Sequence, residues 1–97
     1  MKRDEAITTL RSHREELTRF GVSSLALFGS VARDEAQPAS DVDLLVDFAE
    51  PVGLFHLFRL QHYLERLLGV ERVDLVTRAG LKPRLRDRVL TEAVHVA

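Results

Sequence analysis

The sequence contains no cysteine, so neither a disulfide framework nor a thiolate metal site can form, and any metal must be held by oxygen or imidazole ligands. It has no excess of one charge. Fourteen basic and 15 acidic side chains give a formal net charge of -1, which supplies no general attraction to DNA, RNA or an anionic membrane. Nucleic acid is therefore not an expected partner. It also lacks long apolar runs: the stretches present fall far short of the ~18 residues needed to span a bilayer. Met1-Lys2-Arg3-Asp4-Glu5 leads into no apolar signal segment. No membrane association and a cytoplasmic location are expected. Lysine is scarce, limited to Lys2 and Lys82, and arginine carries nearly all the positive charge.

What remains is an ordinary globular mixture. Apolar residues make up 45% and charged residues 30% of 97 residues, enough to bury one core and stay dissolved. One domain over residues 1–97 is expected, with a radius of gyration of roughly 13 Å. Over residues 4–20, Ile7, Leu10, Leu17 and Phe20 recur at helical spacing, and Gly21 stands where a helix ends. The short apolar run 25–28, closed by Gly29-Ser30, reads as a strand, and Ser30 can cap a brief helix to Arg33. Residues 34–40 carry a proline and no periodicity, which marks a surface loop. In the strand 41–48, Val42, Leu44, Val46 and Phe48 face one way and Asp41, Asp43, Leu45 and Asp47 the other.

Pro51 and Gly53 precede a helix over 54–68, stopped by Gly69; residues 72–76 form a third strand, and Pro83 opens a last helix to about residue 93. The order αβαβαβα predicts an α/β fold, a small sheet of about three strands flanked by helices. In the helix 54–68 the periodicity assigns Leu54, Leu57, Phe58, Leu64 and Leu68 to the core, with Phe55, Leu60, Tyr63 and Leu67 off its centre. Such a wide stripe is either wrapped by neighbouring elements or serves as a partner-binding or self-association face.

The chemistry concentrates in aspartates. Asp41 and Asp43, at i and i+2 on a strand, project from one face with their roots about 7 Å apart, close enough to converge on a cation. If strands one and two pair as antiparallel neighbours, the Gly29-Ser30 turn lies beside them, and its free N–H groups can donate to a phosphate. Asp74, alone between Val73 and Leu75, would complete a three-carboxylate site if its strand lies next to the second. Hard oxygen ligands of this kind suit Mg²⁺ bridged to a substrate's phosphates, the setting of phosphoryl or nucleotidyl transfer. The alternatives are a solvated Asp-x-Asp turn and an Asp74 held by an arginine. Gly-Ser, ten intervening residues and Asp-x-Asp together should arise by chance in only roughly one chain in a thousand of this length.

Phe28-Gly29-Ser30-Val31-Ala32-Arg33, the ten-residue spacing to Asp41-Val42-Asp43, and Asp74 on the next strand resemble the signature of the DNA polymerase β-like nucleotidyltransferase superfamily. The likeness is greatest to its minimal nucleotidyltransferases, antitoxins that act beside HEPN ribonuclease toxins. It implies a mixed sheet of the nucleotidyltransferase fold and Mg²⁺, two ions, held by Asp41, Asp43 and Asp74, with Asp74 also helping to activate the attacking hydroxyl. It implies ATP as the nucleoside triphosphate, bound at Gly29 and Ser30, and AMP transfer to a tyrosine of the toxin. Arg33 either contacts phosphate or points into water. Asp34 departs from the glycine common there in relatives, although aspartate tolerates a left-handed backbone.

Only one helix follows the third carboxylate, so the acceptor site is expected to come from another protein. A non-catalytic antitoxin or binding module that neutralises its partner by complex formation is the alternative, and self-association of the chain is compatible with either. The four histidines, His13, His56, His62 and His95, have no metal-ligand spacing and are read as packed or solvated. Arg84 and Arg88 are read as a solvated face of the last helix.

Overall fold

The computed structural model describes residues 1–35 and 41–97. Its elements run α1 (Arg3–Ser12), α2 (Arg14–Arg19), β1 (Val22–Phe28), α3 (Gly29–Ala32), β2 (Val42–Phe48), α4 (Leu54–Leu68), β3 (Val73–Thr77), a 3₁₀ turn (Arg78–Gly80), α5 (Pro83–Glu92) and β4 (Val94–His95). The sheet order is β3-β2-β1-β4. β1 pairs antiparallel with β2 and β4, and β2 pairs parallel with β3, giving the expected mixed sheet with one more strand than foreseen. The Cα radius of gyration is 12.4 Å. Among the described residues no helix is long and apolar enough to cross a membrane.

The alternation along β2 divides the core in two. Leu25, Leu27, Val42, Leu44 and Val46 are buried on one face against α1, α2 and α4. Leu45 joins Ala26, Leu81 and Val89 in a smaller cluster beneath α5 on the other face. The acidic residues of β2 share that second face with Leu45.

Three local departures have identifiable causes. The helix expected over 4–20 breaks at His13 because Ser12 Oγ donates to the Thr8 carbonyl at 2.8 Å and the His13 ring bonds the Thr9 carbonyl at 2.9 Å. These side chains occupy carbonyls that helical N–H groups would otherwise use. β1 starts at Val22 rather than Leu25, since Val22 and Ser24 pair with Phe48 and Asp47 around a register shift that the polar pair Ser23-Ser24 does not advertise. β4 has only two residues, too few for any periodicity. Its continuation is tied in by Leu25 N–H to the Ala97 carbonyl and Val96 N–H to the Leu25 carbonyl, both 2.9 Å.

The inward face of α4 also differs from the expectation. Leu60, Leu64 and Leu68 are the buried residues, while Leu54 (63% exposed), Phe55 (78%) and Phe58 (44%) face outward. In the first turn the inward position is taken by His56, whose ring meets Phe20 and Phe48 edge-on with centroids 5.8 and 5.7 Å away. The stripe is thereby rotated toward Leu57, Leu60, Tyr63, Leu64 and Leu67. Gly69 ends the helix at φ 66°, the left-handed closure expected of glycine.

This rotation makes a testable contrast. Leu64→Ala should cost about 2–5 kcal/mol of unfolding free energy, and Phe55→Ala should stay within about 0.5 kcal/mol of the parent. Denaturant melts of the two variants check it, and a large loss at Phe55 would contradict the packing described.

Candidate active site

Strand register sets Asp43 and Asp74 side by side. Phe28 at the end of β1 pairs with Asp43, and Asp43 pairs with Asp74 across the parallel ladder. The chain then turns at Gly29, whose φ of 73° is a left-handed value that side-chain-bearing residues seldom adopt. A Cβ at that position would overlap the Asp43 carboxylate, lying only 3.0 Å from its Cγ. Glycine is thus required twice, by conformation and by the close approach. Ser30 follows in the first turn of α3.

Asp43 is the electrostatic centre. Burial first, then the Asp74 charge and a hydrogen bond to Asp74, then Asp41, push its carboxyl up to about 6; Arg33 pulls the other way. Asp43 therefore keeps its proton to a higher pH than an isolated aspartate would. Asp41 and Asp74 are both part-exposed, and Arg72 Nε stands 3.8 Å from a carboxylate oxygen of each. Asp74 is thus less enclosed than its apolar neighbours imply, with 42% of its side chain accessible. Among the described residues no three acidic or imidazole side chains already close on one point. The donor chemistry nonetheless fits a hard divalent cation: three aspartates crowd one strand end, and their mutual repulsion is what such an ion relieves.

Asp47, the remaining carboxylate on this face of β2, is engaged elsewhere, accepting from Arg78 Nε at 3.1 and 2.9 Å. Arg33 is held between two glutamates, with Nη1 on Glu92 and Nε on Glu35. Both glutamates raise its pKa, the Glu92 hydrogen bond most. Asp34 adopts φ 59°, so the turn survives without glycine. Most of the loop expected over 34–40 lies outside the described residues. Arg72, Lys82 and Glu92 also border the candidate site, and the sequence reading did not single them out. Arg72, two residues before Asp74, carried the one available signal. A cleft of about 340 Å³ opens beside Asp43 and Asp74, lined by Phe28, Leu75, Leu81, Lys82 and Leu85 among others.

Two outcomes follow. Between the ordinary carboxylate value near 3.8 and about 6, folded Asp43 keeps a proton that the unfolded chain has lost, so stability falls as pH rises through that window. Asp43→Asn should therefore raise the thermal stability of the metal-free protein by roughly 1 kcal/mol near pH 7, an amount already reduced for solvent screening, with the gain vanishing toward pH 4. Melting curves across pH in chelator check this, and a destabilised variant at pH 7 would contradict it. Gly29→Ala should cost about 1–3 kcal/mol through its backbone conformation and the overlap with Asp43, read by the same melts.

Comparison with known proteins agrees with this geometry. The nucleotidyltransferase domain family matches residues 10–96. The protein adenylyltransferase MntA of Thermococcus cleftensis is 47% identical over 94 residues, covering 96% of this chain and 94% of its own. A solved structure of a candidate minimal nucleotidyltransferase superposes with a TM-score of 0.82 at 45% identity, covering 97% of this chain and 95% of that one. A tri-AMPylated Shewanella oneidensis HEPN toxin in complex with MNT antitoxin gives a TM-score of 0.66 at 21% identity, over 94% of this chain and 71% of that one, a likeness of fold. With a strand register that gathers aspartates beside a glycine-serine corner and relatives matched nearly end to end, the chain belongs to the nucleotidyltransferase domain family and is a nucleotidyltransferase.

Proposed function

We propose that this chain is a protein adenylyltransferase of the antitoxin kind, working in the cytoplasm as one minimal domain, which moves AMP from ATP to a tyrosine of a HEPN ribonuclease toxin. The observation that carries the reading is the row Phe28, Asp43, Asp74 with Gly29 closed against Asp43. The relatives supply the acceptor: MntA is named a protein adenylyltransferase, and the fold neighbour forms a complex with an AMPylated HEPN toxin.

Asp41, Asp43 and Asp74 would hold Mg²⁺, two ions by the family resemblance, which when bound neutralises triphosphate charge and polarises the reacting phosphate. Gly29, with no side chain, lets the phosphates approach the turn while its own N–H is held by Glu92, Ser30 brings backbone and hydroxyl donors, and Arg33 adds a positive charge close enough to act on Asp43. Asp74, part-exposed at the mouth of the cleft, is the carboxylate that takes the phenolic proton as the tyrosyl oxygen attacks the α-phosphorus. The new bond is the phosphotyrosyl P–O bond, the α–β anhydride breaks, and pyrophosphate leaves. The apolar cleft walls, Phe28, Leu75 and Leu85, suit a planar aromatic ring next to the carboxylates.

A contact-only antitoxin is the second reading, favoured by one observation, the outward-facing Leu54, Phe55 and Phe58 of α4. Intact mass of the partner after incubation with the protein, ATP and Mg²⁺ separates the two. Adducts of AMP are expected, and Asp41→Asn or Asp43→Asn should lower their rate by roughly three orders of magnitude or more. Unmodified partner in a tight complex would favour contact alone, and an unchanged rate in both variants would overturn the site.

A further inference from the structure

Glu92 ends α5, and its side chain, 21% exposed, reaches back to the Gly29 corner. Its Oε1 accepts from the Gly29 N–H at 3.1 Å and from Arg33 Nη1 at 3.1 Å, while Oε2 accepts from the same Nη1 at 3.0 Å. One carboxylate therefore fixes both the backbone of the turn and the guanidinium that follows it. The second partner of Arg33, Glu35, is 65% exposed and bonds through Nε at 3.2 Å, so it contributes little to holding the side chain. Among the described residues these contacts use Nε and Nη1 and not Nη2.

We propose that Glu92 is a positioning residue for the triphosphate end of the site, holding the Gly29 turn and the Arg33 guanidinium in the arrangement that meets the nucleotide's phosphates. The inference rests on the nucleotide-transfer reading above. Two considerations carry it. An unheld arginine has rotamer freedom that a ligand must freeze at a cost in affinity, and Glu92 removes that freedom beforehand. The Gly29 N–H is buried, so without Glu92 it would lack a partner, and the turn packed against Asp43 would relax. Glu92 sits on α5, whose Leu85 and Val89 also wall the cleft, so one helix borders both the Gly29 corner and the cleft.

The test is calorimetric titration of the full chain with ATP and Mg²⁺, paired with steady-state kinetics and melting curves. Glu92→Ala should weaken ATP binding about tenfold and raise KM for ATP, with kcat held within about twofold. Glu92→Gln, equal in size and still able to accept from Gly29, should fold normally and fall between wild type and Glu92→Ala. In an Arg33→Ala background, Glu92→Ala should cost less than it does alone, since the share that acts through the guanidinium is already lost and only the Gly29 contact remains. Wild-type or tighter ATP binding by Glu92→Gln and Glu92→Ala would overturn the proposal while leaving the transfer reading intact, as would full additivity with Arg33→Ala or a loss confined to the melting temperature. If the wild-type chain itself binds no ATP, both readings fall together.

Discussion

Asp43 lies in one row of the sheet between Phe28 and Asp74, and the chain turns so tightly at Gly29 that no side chain would fit between the turn and the carboxylate. Left to itself, this arrangement is unfavourable. Burial and two neighbouring aspartates oppose ionisation of Asp43, and only Arg33 among the named causes favours it. Such a cluster is stable only as part of a fold whose remaining contacts outweigh it. The repulsion is also the basis of its chemistry, because a charge deficit at a strand end, beside a glycine-serine turn, is what a cation and a polyphosphate together resolve.

The two faces of the sheet divide those tasks. The face under α1, α2 and α4 carries the larger core, with Leu10, Leu25, Leu27, Leu44, Leu60 and Leu64 fully buried. The opposite face keeps a smaller apolar cluster, Ala26, Leu45, Leu81 and Val89, and gives the rest of its area to carboxylates and the cleft. α5 belongs to the second face, and β4 stitches the following residues onto β1. The end of the chain thus contributes to the site through Glu92 as well as to the sheet.

Much of this was legible in the residues. The turn formers at Gly29-Ser30, the alternation around Asp41 and Asp43 and the apolar neighbours of Asp74 marked the strands. Their adjacency entered only as the condition for a joint site, the mixed sheet came from the family resemblance, and the structure shows both. Helix 54–68 was delimited by Gly53 and Gly69. Its buried face was not, because His56, a polar residue, displaces Leu54 and Phe58 from the inward position. The break at His13 depends on side-chain bonds to carbonyls four residues back, and β4 is shorter than any repeat a sequence can display. Glu92 lies 63 residues from Gly29, and no local pattern links them. Arg72, by contrast, stood two residues from Asp74, and an arginine tying up that carboxylate was foreseen without being identified.

Family membership and geometry thus meet at the Asp43–Asp74 pair. The most direct measurement is the carboxyl titration of Asp43 by carbon-13 NMR, first in chelator and then in saturating Mg²⁺. The account predicts a midpoint near 6 in chelator that moves to well below the ordinary carboxylate value when the ion is added. A midpoint near 4 that Mg²⁺ leaves unmoved would contradict it.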